Sequence, residues 1–592
     1  MAWTEWRDPA LEEALLGALT LDAPWAVVER FAGLVRESGT DAEAEAIAAL
    51  TARLDEWGVP YTLHHPICLI SLPRESALAV YGPAARTVAA KTPAMSAATG
   101  DEPVRGELTY LPSGYAHGVE DLFSAGLPAD AAQVAGKIVL TEGLPMPAKV
   151  ADLTRLGARA AVFISPGERI HEGICTTIWG TPDLDSIGRQ PTLPVLEVNH
   201  ADGARLIAEA QADTIEVGVI TRLETRWRPI PVLVAEIRGA ADPDQFVLLH
   251  GHLDSWHGGV GDNATGDALL LELARVFHQH RDRLQRTLRV AWWSGHSHGR
   301  YAGSTWYADE FAIDLAEHCI AQVNSDSPGC RWATTYDHLT VMSETEALVR
   351  AAAHEATGLE ISPERPPRAG DYSFNNIGVS GCLMLSSTMA EADRAAHGYY
   401  AVGGCGGNIA WHTEDDTLEI ADRDVLARDL RFYTTLVARL VNAPLHPLDF
   451  RQTVREIQAT LGRYNAAAEP TVSLIEASAE TAALAAELER YYTGAGALLD
   501  RPATDPAVQR FNAIARALSR LLVPVNYSRQ GAFRHDPALD VPPLPDLAPA
   551  LLLHDGNRES DEARVIRAHL IRGRNRLIWT LRQARGLVAQ PA

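Results

Sequence analysis

The spacing of apolar and polar positions divides the chain into regions of different texture. Up to Pro66 the spacing is helical: Val27, Val28, Phe31, Leu34 and Val35 share one face, then Ala46, Ile47, Leu50, Leu54 and Trp57, with Gly58 as the expected break. From about Cys68 to Thr221, short apolar runs alternate with Gly and Pro. Examples are Ile138-Val139-Leu140 after Gly136 and Ala160 to Phe163 after Gly157, which predict a small β-rich unit with one helix near Val150 to Leu156. Buried-strand runs resume at Pro231 to Ile237, Phe246 to Leu249, Thr287 to Trp293 and Ile320 to Val323. Between and after them, Leu269, Leu270, Leu273, Ala274 and Phe277, and later Val425, Leu426 and Leu430, recur at helical spacing, which predicts an α/β fold. After Pro447 the chain reads as mostly helical, with stripes at Leu474, Ile475, Leu484, Leu488 and Tyr491, at Phe511, Ile514, Leu518 and Leu521, and at Val565, Ile566, His569, Leu570 and Leu577. Helix packing within the chain is the default meaning of these stripes, and no internal repeats or low-complexity segments interrupt the pattern.

Chemistry enters where these strands end. His252-Leu253-Asp254-Ser255 and Asp262-Asn263-Ala264-Thr265-Gly266 follow the strand at Phe246 and precede the helix at Leu269. A neutral nitrogen donor and a carboxylate therefore share one loop at the carboxyl end of a strand, where open α/β sheets bind ligands. The strand at Thr287 runs into Ser294-Gly295-His296-Ser297-His298-Gly299, and the strand at Ile320 ends at Asn324-Ser325-Asp326. His412 lies in the polar loop Trp411 to Thr417. Imidazole and carboxylate together suit zinc and related divalent ions, so His252, Asp262, Asp326 and His412 form a candidate metal shell.

At these residues the chain resembles the zinc aminopeptidases and glutamate carboxypeptidases, whose two metals share a bridging aspartate. The resemblance rests on His252-Leu253-Asp254-Ser255, Asp262 to Gly266, Gly303-Ser304, Asp326, Asp371, and His412-Thr413 with Asp416-Thr417, and reaches upstream to Ser38-Gly39-Thr40 with Glu43. It implies a doubly wound mixed sheet, with Asp262 bridging, His252 and Asp326 on one ion, His412 on the other, and Asp254 orienting His252. One or two divalent ions, zinc first among them, are the implied cofactor. The stretches Trp179-Gly180-Thr181-Pro182 and Pro194-Val195-Leu196 resemble the protease-associated domain inserted in larger relatives, where it walls the cleft and would limit substrate size. The segments Val523 to Tyr527 and Phe533 to Pro537 resemble a loop of the helical dimerisation domain of glutamate carboxypeptidase and the transferrin receptor, which implies a homodimer. The expected division is 1–66 with 226–445 for the metal-bearing α/β catalytic domain, 67–225 for the insert, and 446–592 for the helical domain.

One departure changes the chemistry. Where the family carries a Glu-Glu pair, base then ligand, this chain reads Gly295-His296-Ser297-His298-Gly299. Counting from the strand places His296 and Ser297 at the two positions; counting back from Gly303-Ser304 places Ser297 and His298 there. An imidazole with a pKa near ~6.5 can carry a proton, so His296 or His298 is expected as base or as a further donor. A neutral histidine brings no charge, which leaves Asp262 and Asp326 as the anionic donors and favours one tightly held ion or an asymmetric pair. Arg300 and Tyr301, next in the chain, are candidates to hold a substrate carboxylate or an oxyanion.

Composition sets the frame. A chain of 592 residues, 46% hydrophobic and 22% charged, reads as a soluble protein of several domains. The net charge of -24 argues against nucleic acid or an anionic membrane as partner. Six cysteines without a C-x-x-C pair read as small buried residues. The N-terminal residues lack a basic region followed by an apolar core, and no run reaches transmembrane length, so a cytoplasmic address is expected. The expected activity is metal-dependent hydrolysis of an amide or peptide bond in a small substrate. The alternative is a noncatalytic homologue acting in binding or assembly, which should have lost ligands at His252, Asp326 and His412.

Overall fold

Strands β1 (Tyr61–His64), β2 (Val232–Ile237), β3 (Asp242–His252), β4 (Arg286–Trp293), β5 (Cys319–Asn324) and β6 (Ser380–Cys382) form one sheet in the order β1-β2-β4-β3-β5-β6 in the computed structural model. It describes residues 3–589 apart from 84, 119–120, 123–126, 128–129 and 384. β3 lies between β4 and β5 and runs parallel to both, and β6 continues parallel to β5. β2 runs antiparallel to β4 and β1, so the sheet is mixed.

Both faces are covered, which explains why the strands read as unbroken apolar runs. Leu233, Ala235, Val247, Leu249, Leu288, Val290 and Trp292 point to one side, into a core shared with helices Asp22–Phe31, Asp41–Trp57, Thr265–Gln279 and Arg423–Asn442. The alternate positions Val232, Val234, Phe246, Leu248, Ala291 and Trp293 meet Tyr307, Ala308 and Leu315 from helices Ala302–Glu310 and Ala312–His318. Helices on both faces make the sheet doubly wound.

A second sheet of seven strands spans Ile67 to Pro229. Its first and last long strands, Ile67–Val80 and Glu216–Pro229, pair antiparallel from Ile67 opposite Pro229 to Val80 opposite Val217. The chain thus enters and leaves this unit side by side. It contains the expected helix, at Pro147–Arg155. The C-terminal region is helical: Phe450–Ala468, Ile475–Thr493, Pro506–Tyr527 and Asp561–Val588 pack around their own core.

Two local readings are corrected. The region before Pro66 is not wholly helical, because Tyr61–His64 pairs with Val232 to Ala235 as β1. Val523 to Tyr527 is not a loop but the last turns of helix Pro506–Tyr527, which accommodates Pro524 near its end. Helix Phe450–Ala468 falls in the region read as helical though no stripe marked it, and the three-residue β6 had no predicted counterpart. All six cysteines are buried and unpaired. Among the described residues no helix is long and apolar enough to cross a membrane.

Candidate metal centre

Parallel pairing brings the chemistry together. β3, β4 and β5 end at the same edge, with His252 in register with Trp293 and His250 with Asn324. His296 follows β4 and Asp326 follows β5, so they flank His252, the last residue of the central strand. Donor atoms of His252, His296 and Asp326 lie within 4.8 Å of one another. Asp262 reaches the cluster from the loop after β3, with Oδ1 2.9 Å from His252 Nε2 and Oδ2 3.0 Å from His412 Nε2. Asp326 Oδ2 lies 3.8 Å from His252 Nε2. Asp262 therefore stands between the two histidines, and all four candidate donors converge.

The donor set fits a divalent ion. His252 Nδ1 donates to the Asp254 carbonyl and His412 Nδ1 to the Glu172 carbonyl, each at 2.9 Å, so both rings are fixed with Nε2 toward the carboxylates. Ligating histidines are held in this way, by an acceptor on the outer nitrogen. The charges agree. Burial works against a charged His252, but the hydrogen bond and charge of Asp262, with Asp326 and Asp254 nearby, raise its pKa well above 6.5. Burial would raise Asp262, yet its bonds to His252 and His412 hold it well below the usual carboxylate range. Asp326, buried and facing the like charge of Asp262, is pushed up. The metal-free cluster thus stores protons on His252 and Asp326 that an ion must displace, since ligands bind deprotonated. Zinc uptake near pH 6 is expected to release about one proton or more per ion, and affinity to rise about tenfold per pH unit per proton displaced. Calorimetry in buffers of different ionisation enthalpy measures this; pH-independent uptake would contradict it.

Asp254 does not act as expected. Its carbonyl, not its carboxylate, orients His252. The carboxylate is fully buried and instead accepts from Ser38 Oγ at 2.8 Å, His296 N at 3.1 Å and Ser297 N at 2.8 Å, fixing the histidine loop. Burial opposes its charge, but the nearby imidazoles of His298, with Nδ1 3.6 Å away, His252 and His296 hold its pKa below the normal range. Asp254→Ala would leave two buried amides without acceptors and is expected to cost on the order of 3 kcal/mol, read by urea denaturation, with Asp254→Asn milder.

His298 is corrected too. His296–Gly299 is a single helical turn, and residues two apart on a helix point about 200° apart. His298 consequently faces away from the cluster, with Nδ1 2.9 Å from Ser38 Oγ and its ring 4.2 Å from that of Trp256. It neither lines the cavity beside the cluster nor belongs to the His252–His296–Asp326 group, and its Nε2 is buried without a partner.

His296 stacks on His252 with ring centroids 3.9 Å apart and pairs through Nδ1 with Asp371 Oδ2 at 2.8 Å, which leaves Nε2 as its open nitrogen. Burial and the neighbouring His252 lower its pKa, against the pull of Asp371. Asp371 also accepts from Ser304 Oγ at 2.6 Å, and its own pKa, which burial would raise, is held down by His296. Asp416, another residue with no role expected, accepts from Gly261 N at 2.7 Å and Asp262 N at 3.1 Å, so it shapes the loop that presents Asp262.

A cavity opens on the cluster, lined by Asp262, His296, Asp326 and His412 together with Arg300 and Tyr301. Leu144, Met146, Glu172 and Ile174 of the seven-stranded unit also line it.

Fold and site together define an α/β domain with a candidate divalent-metal centre of hydrolase type. Residues 233–435 match the model of Peptidase family M28. Aminopeptidase NAALADL1 of Mus musculus is 34% identical over 116 residues, 19% of this chain and 15% of its own. The probable glutamate carboxypeptidase LAMP1 of Arabidopsis thaliana is 27% identical over 187 residues, 28% of this chain and 26% of its own. Transferrin receptor protein 1 of Gallus gallus is 27% identical over 172 residues, 25% of this chain and 22% of its own. The similarity thus spans a minor part of each of these relatives. Among solved structures, a peptidase M28 precursor from Shewanella amazonensis superposes with TM-score 0.56 at 17% identity, covering 73% of this chain and 96% of its own. A zinc aminopeptidase from Bacillus subtilis gives 0.52 at 18%, covering 72% and 95%. These superpositions establish a shared fold.

Proposed function

We propose that this protein is a metal-dependent hydrolase that cleaves an amide or peptide bond in a small substrate, using a histidine as its proton carrier. The observation that carries this reading is the meeting, at one sheet edge and beside one cavity, of His252, Asp262, Asp326 and His412. These four residues would hold one or two divalent ions, with zinc favoured by the nitrogen and carboxylate donors. Such an ion, when bound, polarises the scissile carbonyl and acidifies water. His296, anchored through Nδ1 by Asp371, keeps Nε2 free to take a proton from water and return it to the leaving nitrogen. Leu144, Met146, Ile174, Trp256 and Trp411 supply apolar walls that exclude bulk water and restrict substrate size. Within this reading, residues 67–225 serve as a protease-associated wall, residues 446–592 support a homodimer, and the protein works in the cytoplasm on a small molecule.

The test is elemental analysis of the purified protein with a panel of N-acyl amino acids and dipeptides, before and after chelation. Stoichiometric metal and chelator-sensitive cleavage are expected. A metal-free, normally stable protein without cleavage would favour the noncatalytic reading, which the missing glutamate pair keeps in play.

A further inference from the structure

We infer that Arg300 is the recognition point for a carboxylate, so that the substrate of this site is a small amide carrying a negative charge. The inference rests on the hydrolase reading for the word substrate, but the anion site itself stands on separate observations.

Arg300 is 5% exposed and lines the cavity with Asp262, His296, Asp326 and His412. Its guanidinium has no hydrogen-bond acceptor and no carboxylate within 4 Å among the described residues, and its Nε is sealed from solvent without a partner. The other buried arginines behave differently. Arg36 donates to the carbonyls of Phe31, Leu253, Gly258 and Gly259, Arg286 to those of Ala443 and Pro444, and Arg368 to those of Tyr372 and Asp536. Arg439 pairs with Glu12 and Glu355. Arg286 Nε, Arg368 Nε and Arg439 Nη1 also lack partners, but each of these side chains is anchored by at least two bonds, whereas the guanidinium in the cavity has none among the described residues.

The backbone is shaped to put it there. Arg300 and Tyr301 both occupy the left-handed region, at φ 50° and 69°, which side-chain-bearing residues seldom adopt in succession. Gly180 N donates to the Arg300 carbonyl at 2.6 Å and Gly370 N to the Tyr301 hydroxyl at 2.9 Å, so contacts from outside the loop hold the conformation. Strain kept in place by surrounding structure is typical of ligand-binding positions. The acids lining the cavity are already engaged: Asp262 by two histidines, Asp326 by Ser327, and Glu172 by Lys91 and His257. Only Nε of Arg300 is sealed, so its outer nitrogens face the cavity, where a planar carboxylate can meet the fork with two parallel bonds.

The probes are N-acetylglycine and N-acetylglycinamide, which differ in charge, bound to the full-length protein by calorimetry in both zinc-loaded and chelator-treated forms. Arg300→Gln is expected to weaken the acid about 100-fold in the zinc-loaded form and the amide by less than about threefold, with Arg300→Lys recovering part of the loss. The same dependence on Arg300 in chelated protein separates guanidinium recognition from direct carboxylate binding to zinc. If the acid depends on Arg300 but no amide is cleaved, the hydrolase reading fails and the anion site stands. Equal weakening of both probes would mean that Arg300 serves the amide carbonyl and would overturn the proposal, as would unchanged binding. Competition by inorganic phosphate stronger than by acetate would overturn the assignment to a carboxylate.

Discussion

Under the proposed hydrolase function, Asp262→Asn is expected to weaken divalent-ion binding severely and to lower amide hydrolysis by about a thousandfold or more. The side chain is the hub of the site, touching His252 through one oxygen and His412 through the other. Its position is set by the main chain, since Asp416 accepts from the amides of Gly261 and Asp262 itself. Asparagine keeps the volume but removes the charge, and it presents an amide NH2 donor to one of the two imidazoles. His252 then loses the group chiefly responsible for its raised pKa, and Asp326 loses the like charge that pushes its own pKa up. The variant should therefore fold but hold metal weakly, as elemental analysis will read. Wild-type metal content would remove Asp262 from the ligand set.

The second large effect is expected at His296. His296→Ala should lower turnover by about 10²–10⁴-fold while metal content stays near wild type, because the proton carrier is removed but His252, Asp262, Asp326 and His412 remain. Asp371→Asn should give a smaller loss of turnover, since its carboxylate orients the ring and does not reach past it. The sign of the pH dependence follows from the lowered pKa of His296. The base must be neutral, so the acid limb of kcat should fall below the ordinary imidazole value near ~6.5. Loss of metal in His296→Ala would make the residue a ligand instead, which its placement within 4.8 Å of His252 and Asp326 allows.

The four donors were legible in the sequence because each sits just beyond a long apolar run or in a polar loop, and strand ends in a parallel sheet must share an edge. What pattern could not supply was side-chain direction. His296 and His298 look equivalent as letters, and only the one-turn helix sends them to opposite sides. Asp254 follows His252 by two residues, yet it is its carbonyl that meets the ring while its carboxylate turns to the amides of the next loop. β1 and β6 have four and three residues, too few for a period to register. Asp371 lies between regular elements, and its partner is 75 positions away. The two sheets and the helical C-terminal region followed from texture alone, because each buries its apolar residues at the period of its own secondary structure.

Glu172 left no trace in the sequence, because it acts through its backbone. Its carbonyl accepts from His412 Nδ1 at 2.9 Å and its amide donates to the His412 carbonyl at 2.8 Å. Its side chain meanwhile pairs with Lys91 and His257. A residue of the seven-stranded unit thus aims a donor that belongs, by position in the chain, to the other sheet. The candidate metal centre is consequently shared property, complete only once both units have folded and docked, and residues 230–445 alone would carry the letters of the site without its final alignment.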